Sequence, residues 1–168
     1  MHRAFLALLL APLACAADYD LIIRNARVID GSGAAAYRAS IAIKAGRNAD
    51  GRRIGRPTEN VIIRRCQMKN GHGGVTLGSE ISGGVRNVFV EDCHMDSPKL
   101  DYALRLKDNA MRGGILEHVY MRRVTVGQVG KAVLTVDFNY EEGPKGPFTP
   151  IVRDVLVENT ERFAKGLP

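Results

Sequence analysis

The 168-residue chain has no tryptophan, aromatic residues make up 6% of it, and its arginines are scattered rather than grouped. That composition argues against a stacking platform for single-stranded nucleic acid, which interleaves basic residues with exposed rings. Cysteine is scarce as well. Of three, Cys15 lies in an apolar leader-like stretch, and Cys66 and Cys93 alone do not make a disulfide framework. After the first residues no apolar run is long enough for a transmembrane helix, and helical periodicity is almost absent. The histidines past the start, His72, His94 and His118, are unpaired in sequence, so no metal site is expected, and His94 and His118 read as turn or surface residues. "GSG" at 31 to 33 lacks the rest of a phosphate-binding fingerprint, and no cofactor is expected.

The opening "MHRAFLALLLAPLACAADYD" has a short basic start, an apolar run from Ala4 to Leu13 and small residues at 14 to 16. This is the layout of an export signal over residues 1–16, which implies a secreted or periplasmic protein. Its removal takes one arginine and no acid from the +6 net charge, leaving +5. A positive surface of this kind suits a polyanion such as an acidic polysaccharide.

What is abundant is repetition. "ENVIIRRCQM" from Glu59, "RNVFVEDCHM" from Arg86, "EHVYMRRVTV" from Glu117 and "RDVLVENT" from Arg153 share a register. Each opens with a charge, then Asn, His or Asp, then Val. Between them fall short β-branched segments, "SIAIKAG", "GVTLGSE", "ALRLKDN" and "AVLTVDF". Two strand types alternating about every thirty residues predict stacked coils, an all-β parallel β-helix, with a β-sandwich as the structural alternative. Val61, Val88, Val119 and Val155 then form one inward row. Cys66, Cys93 and Val124 form another, the two cysteines either as stacked thiols or as a disulfide.

"NGHGGVTLGSE", residues 70–80, sets His72 among four glycines, which serve equally a plain turn or a place where another molecule comes close. Arg105 and Lys107 in "RLK" are two apart on a strand and emerge on one face. Taken in order, "IAIKAGR", "GHG" at 71–73, "RLK" at 105–107 and "FNYEEG" resemble the C-terminal half of a polygalacturonase-type enzyme of glycoside hydrolase family 28, over residues 41 to about 160. The resemblance implies a right-handed, pectin-lyase-like parallel β-helix, inverting hydrolysis of galacturonan, and a monomer without membrane or nucleic-acid partners. It also implies that His72 supports the catalytic acids, that Arg105 and Lys107 bind substrate, and that Tyr140 touches the sugar. The family's Asp-Asp pair falls where Arg38 and Ala39 stand, and no Asn-Thr-Asp precedes them. Asp50, Asp92, Asp96, Asp101 and Asp108 read as turn or surface residues instead. Residues 17–47, with "RNARVIDGSG" and "ASIAIKAGR", resemble the opening strands of D-aminoacylase-type amidohydrolases. The expected organisation is therefore a leader over 1–16, an amidohydrolase-like β segment over 17–40 and a truncated β-helix over 41–168. The joined chain reads as a natural fusion, a truncation or an artefact. Functionally it reads as an impaired polygalacturonase-like hydrolase, a non-catalytic acidic-oligosaccharide-binding module, or a nonfunctional remnant.

Overall fold

The computed structural model of the chain describes residues 21–24, 41–158 and 160–162. The leader at 1–16, most of the 17–40 segment, and Arg38 and Ala39 lie outside the described residues.

Three parallel sheets run along one axis and are traversed in turn by each coil. The first contains β1 (Leu21–Arg24), β3 (Thr58–Arg64), β6 (Val85–Glu91), β9 (Ile115–Arg122) and β12 (Ile151–Glu158). The second contains β4 (Gln67–Met68), β7 (His94–Ser97), β10 (Thr125–Val129) and β13 (Glu161–Arg162). The third contains β2 (Ile41–Ile43), β5 (Val75–Gly78), β8 (Tyr102–Lys107) and β11 (Ala132–Asp137). The fold is a right-handed parallel β-helix of about three turns, as the repeat predicts.

Alternation explains why these residues make strands. In β6, Val85, Val88 and Val90 are buried while Arg86 is exposed. Val61, Val88, Val119 and Val155 pair rung to rung, and the first three are fully buried. Val75 and Leu104 form a second buried row that ends on the exposed Leu134, and Met68, Met95 and Val126 form a third. Burying one such side chain contributes about 1.5–3 kcal/mol, so each row also holds its strands in register.

The recurring Asn, His or Asp before the Val has a backbone cause. Asn60, Asn87, His118 and Asp154 all adopt φ between 51° and 55°. That left-handed conformation is least costly for these residue types. Asn87 donates from Nδ2 to Asn60 Oδ1 at 3.0 Å, tying adjacent rungs. The charge before it alternates in sign along the axis. Arg86 Nε reaches Glu59 at 2.5 Å and Arg153 Nε reaches Glu117 at 2.7 Å.

Cys66 and Cys93 stack at a buried corner with Val124 as reduced thiols, which decides between the two cysteine readings. The Cys66 thiol and burial together push the Cys93 pKa upward, so it stays protonated. One element has no counterpart in the periodicity: α1 (Asn48–Ile54), a helix of 7 residues at the turn before β3.

Candidate functional site

The third sheet carries most of the charged residues singled out by their motifs. Leu104 and Leu106 point inward from β8, which turns Arg105 and Lys107 to the outer face. Their neighbours follow from register. Arg105 stands between Thr76 and Thr135, and Lys107 between Gly78 and Asp137.

Tyr140 lies in the turn after β11 and joins them. Lys107 Nζ is 3.9 Å from its ring centroid and the Arg105 guanidinium carbon 5.6 Å from it. Two cations thus share one aromatic ring, an attraction of about 0.5–1 kcal/mol each at an exposed site. Tyr140 is held by its backbone, whose N–H donates to the Asp108 carbonyl at 3.3 Å. Arg105 Nε is buried without a hydrogen-bond partner.

His72 occupies the loop before β5, at the other end of the sheet from Tyr140. Gly71 bridges to Leu100 on the next coil, and Asp101 N–H donates to the Gly71 carbonyl at 2.9 Å. This register brings His72 Nδ1 within 3.0 Å of Asp101 Oδ2. Lys131, one coil further on, reaches the same oxygen at 3.1 Å. The two partners, His72 first, hold the Asp101 carboxyl below its ordinary range. Gly73 links the two ends, because a Cβ there would come 3.1 Å from Arg105 Cβ.

Arg105, Lys107 and Tyr140 are therefore brought together, while His72 stands beside them in a separate polar row. Sequence reasoning missed Asp101, Tyr102 and Lys131. The Tyr102 ring lies 5.5 Å from both Arg105 and Lys131, extending the cation–aromatic row toward His72. The available signal was spacing: residues 72, 101 and 131 recur at nearly one coil length. Two aspartates depart from the surface reading. Asp101 is a side-chain partner of His72, and Asp108 is fully buried. Burial pushes the Asp108 carboxyl up to about 7. The Asn109 amide and Arg112 pull it down in part, but neither carboxylate oxygen has a hydrogen-bond partner of normal geometry. Arg112, buried nearby, bonds to Ser79, Glu141 and Glu142. Among the described residues no group of His, Cys, Asp or Glu could hold a metal ion, and no helix is long and apolar enough to cross a membrane.

The fold and site together define a parallel β-helix with a cationic, aromatic-flanked sheet face. The chain belongs to glycosyl hydrolases family 28, whose model matches residues 25–161. It is 29% identical over 140 residues to a probable polygalacturonase of Vitis vinifera, covering 76% of this chain and 28% of that protein. It is 31% identical over 105 residues to a polygalacturonase of Ralstonia solanacearum, covering 61% of this chain and 19% of that protein. The crystal structure of a hyperthermoactive exopolygalacturonase from Thermotoga maritima superimposes with a TM-score of 0.69 at 37% identity, over 74% of this chain and 28% of the other. The chain thus spans less than a third of the length of these relatives.

Proposed function

We propose that the chain acts as a secreted or periplasmic, polygalacturonase-like module that holds an acidic polysaccharide such as galacturonan on the outer face of the third sheet. The observation that carries this reading is the Arg105–Tyr140–Lys107 cluster. Galacturonan presents a carboxylate on every sugar beside an apolar ring face. Arg105 offers a fork for the carboxylate, Lys107 a point charge and Tyr140 a surface for the ring. His72, in the neighbouring polar row, supports the reacting end of the bound sugar, and the protein works as a monomer.

Turnover is the weaker half of the reading. Inverting hydrolysis needs one protonated carboxylic acid and one carboxylate, about 6.5–9.5 Å apart. Arg38 and Ala39 stand at the places where the family resemblance puts such a pair. Neither Asp101 nor Asp108 replaces it. Asp101 is held in its ionised form by His72 and Lys131, which suits it poorly to donate a proton. Asp108 has the raised pKa of an acid, but it is fully buried beneath the sheet. Binding without efficient hydrolysis follows.

The test is titration calorimetry of oligogalacturonate at two salt concentrations, with a reducing-end assay alongside. Binding should be weak and salt-sensitive, since screening lengths shorten to about 10 Å at 0.1 M. Lys107→Glu should weaken it at least about tenfold, the equivalent of roughly one charge-assisted contact. Reducing ends should not be released. Equal affinity of the wild type and Lys107→Glu would refute the binding site. Clear turnover abolished by His72→Ala would refute the loss of catalysis.

A further inference from the structure

The imidazole of His72 is 84% exposed and sits on a glycine-rich loop, where an unrestrained ring would turn freely. Its Nδ1 is nevertheless engaged by Asp101 Oδ2 at 3.0 Å. Backbone pairing sets that contact. Gly71 N–H donates to the Lys99 carbonyl at 3.2 Å, and Asp101 N–H donates to the Gly71 carbonyl at 2.9 Å. The next coil repeats the arrangement, because Lys131 N–H donates to the Asp101 carbonyl at 2.8 Å. The three side chains therefore stack as imidazole, carboxylate and ammonium on successive rungs.

We infer that Asp101 is a positioning residue for His72: it accepts the Nδ1–H hydrogen, fixes the neutral ring in that tautomer and leaves Nε2 presented to solvent as an acceptor. Lys131 holds the carboxylate in place through the same oxygen at 3.1 Å. A carboxylate accepts and cannot donate, so it selects the Nδ1–H form against the Nε2–H form that unconstrained imidazole favours in water. The charged groups in this row are Asp101 and Lys131, and the Arg105 guanidinium lies 5.5 Å from the Tyr102 ring. The Lys131 charge offsets that of Asp101. His72 therefore adds a net positive charge to the row only when it is protonated. The inference rests on the proposed sugar-facing role of His72 for its purpose, but its physical content can be read without any sugar.

The experiment is long-range proton–nitrogen correlation spectroscopy on the full, nitrogen-15-labelled chain at about pH 8.5, well above the ordinary imidazole range. The His72 signal is identified by its loss in His72→Gln. Wild type should show the Nδ1–H pattern. Asp101→Ala should convert His72 to predominantly Nε2–H, and Asp101→Glu should restore the original pattern at least in part. A wild-type spectrum showing Nε2–H overturns the inference without any variant, and so does an Nδ1–H pattern that survives in folded Asp101→Ala. Adding trigalacturonate separates this question from the proposed function. If the tautomer follows Asp101 and no site resonance moves, the positioning stands and the sugar-binding reading fails. If resonances move while the tautomer ignores Asp101, binding stands and the positioning fails.

Discussion

Replacing Asp108 with asparagine tests the energetics of the coil beneath the site. The Asp108 carboxyl is fully buried and rises from 3.8 to about 7, chiefly because burial penalises its charge. Its folded pKa therefore lies above its unfolded one, and the folded state binds the proton more tightly. Below about pH 4 both states are protonated and no ionisation penalty applies. Between about pH 4 and 7 the unfolded chain has released the proton while the folded chain keeps it. Stability then falls by about 1.4 kcal/mol per pH unit as pH rises. Above about pH 7 both states are ionised and the penalty levels off, with a ceiling of about 4 kcal/mol. Asparagine keeps the shape and carries no charge at any pH. Asp108→Asn should match the wild type near pH 4 and exceed it at pH 8 by a few kcal/mol. Urea unfolding of both proteins across that range measures this directly, because other titrating groups cancel in the difference. A constant difference from pH 4 to 8, or a less stable variant at pH 8, would refute the argument.

Three further outcomes follow from the packing. Gly78→Ala should abolish folding, since a Cβ there would fall 1.8 Å from the Lys107 carbonyl oxygen at φ +111°, and loss of the cooperative thermal transition would show it. Val88→Ala removes two buried methyl groups from the middle of the valine row and should cost roughly 2–3 kcal/mol by urea denaturation, whereas the exposed Arg86→Ala should cost far less. Cys66 and Cys93 should resist thiol reagents until the chain unfolds, given their burial and the protonated state of Cys93; fast native-state labelling would contradict the stacked-thiol corner.

The repeat was legible because a solenoid pairs each residue with its equivalent one coil away, so spatial neighbours recur at nearly constant spacing. Val61, Val88, Val119 and Val155 could be aligned without any structure, and so could the corner of Cys66, Cys93 and Val124. The reason for the Asn, His or Asp before each Val was not legible, since positive φ leaves no hydrophobic signal. Nor was the second sheet separable as its own layer. β4 has two residues and continues the run of β3 after a bend at Arg65, whose φ is 55°. The helix α1 escaped notice because "NADGRRI" has a central glycine and no apolar stripe. Gly51 is needed there for contact, as a Cβ would come 2.8 Å from the Gly46 backbone and from Ser82 Cβ. At the candidate site, motif order singled out Arg105, Lys107, Tyr140 and His72, of which the structure brings the first three together. The Asp101 and Lys131 partners lie in loops that carry no motif, and only the coil spacing could have found them.

The glycines around His72 serve the fold before they serve any ligand. A Cβ on Gly73 would lie 2.4 Å from Thr76 Oγ1 and 3.1 Å from Arg105 Cβ, so the loop crosses the edge of β8 closely only because no side chain is present. The same close approach sets where Arg105 can stand. A one-residue slip of β8 would turn Arg105 and Lys107 inward and Leu104 and Leu106 outward, exchanging two buried leucines for two buried charges. The apolar rows on the inner face therefore fix the geometry of the outer face. The cationic row depends on Leu104 pairing with Val75 and Leu134 more than on its own weak contacts. Such a site can stay in place even where charges repel one another, since the core bears the cost of holding them together. Arg105 and Lys107 share the Tyr140 ring as their common neighbour, held there by the strand register and not by an ion pair among the described residues.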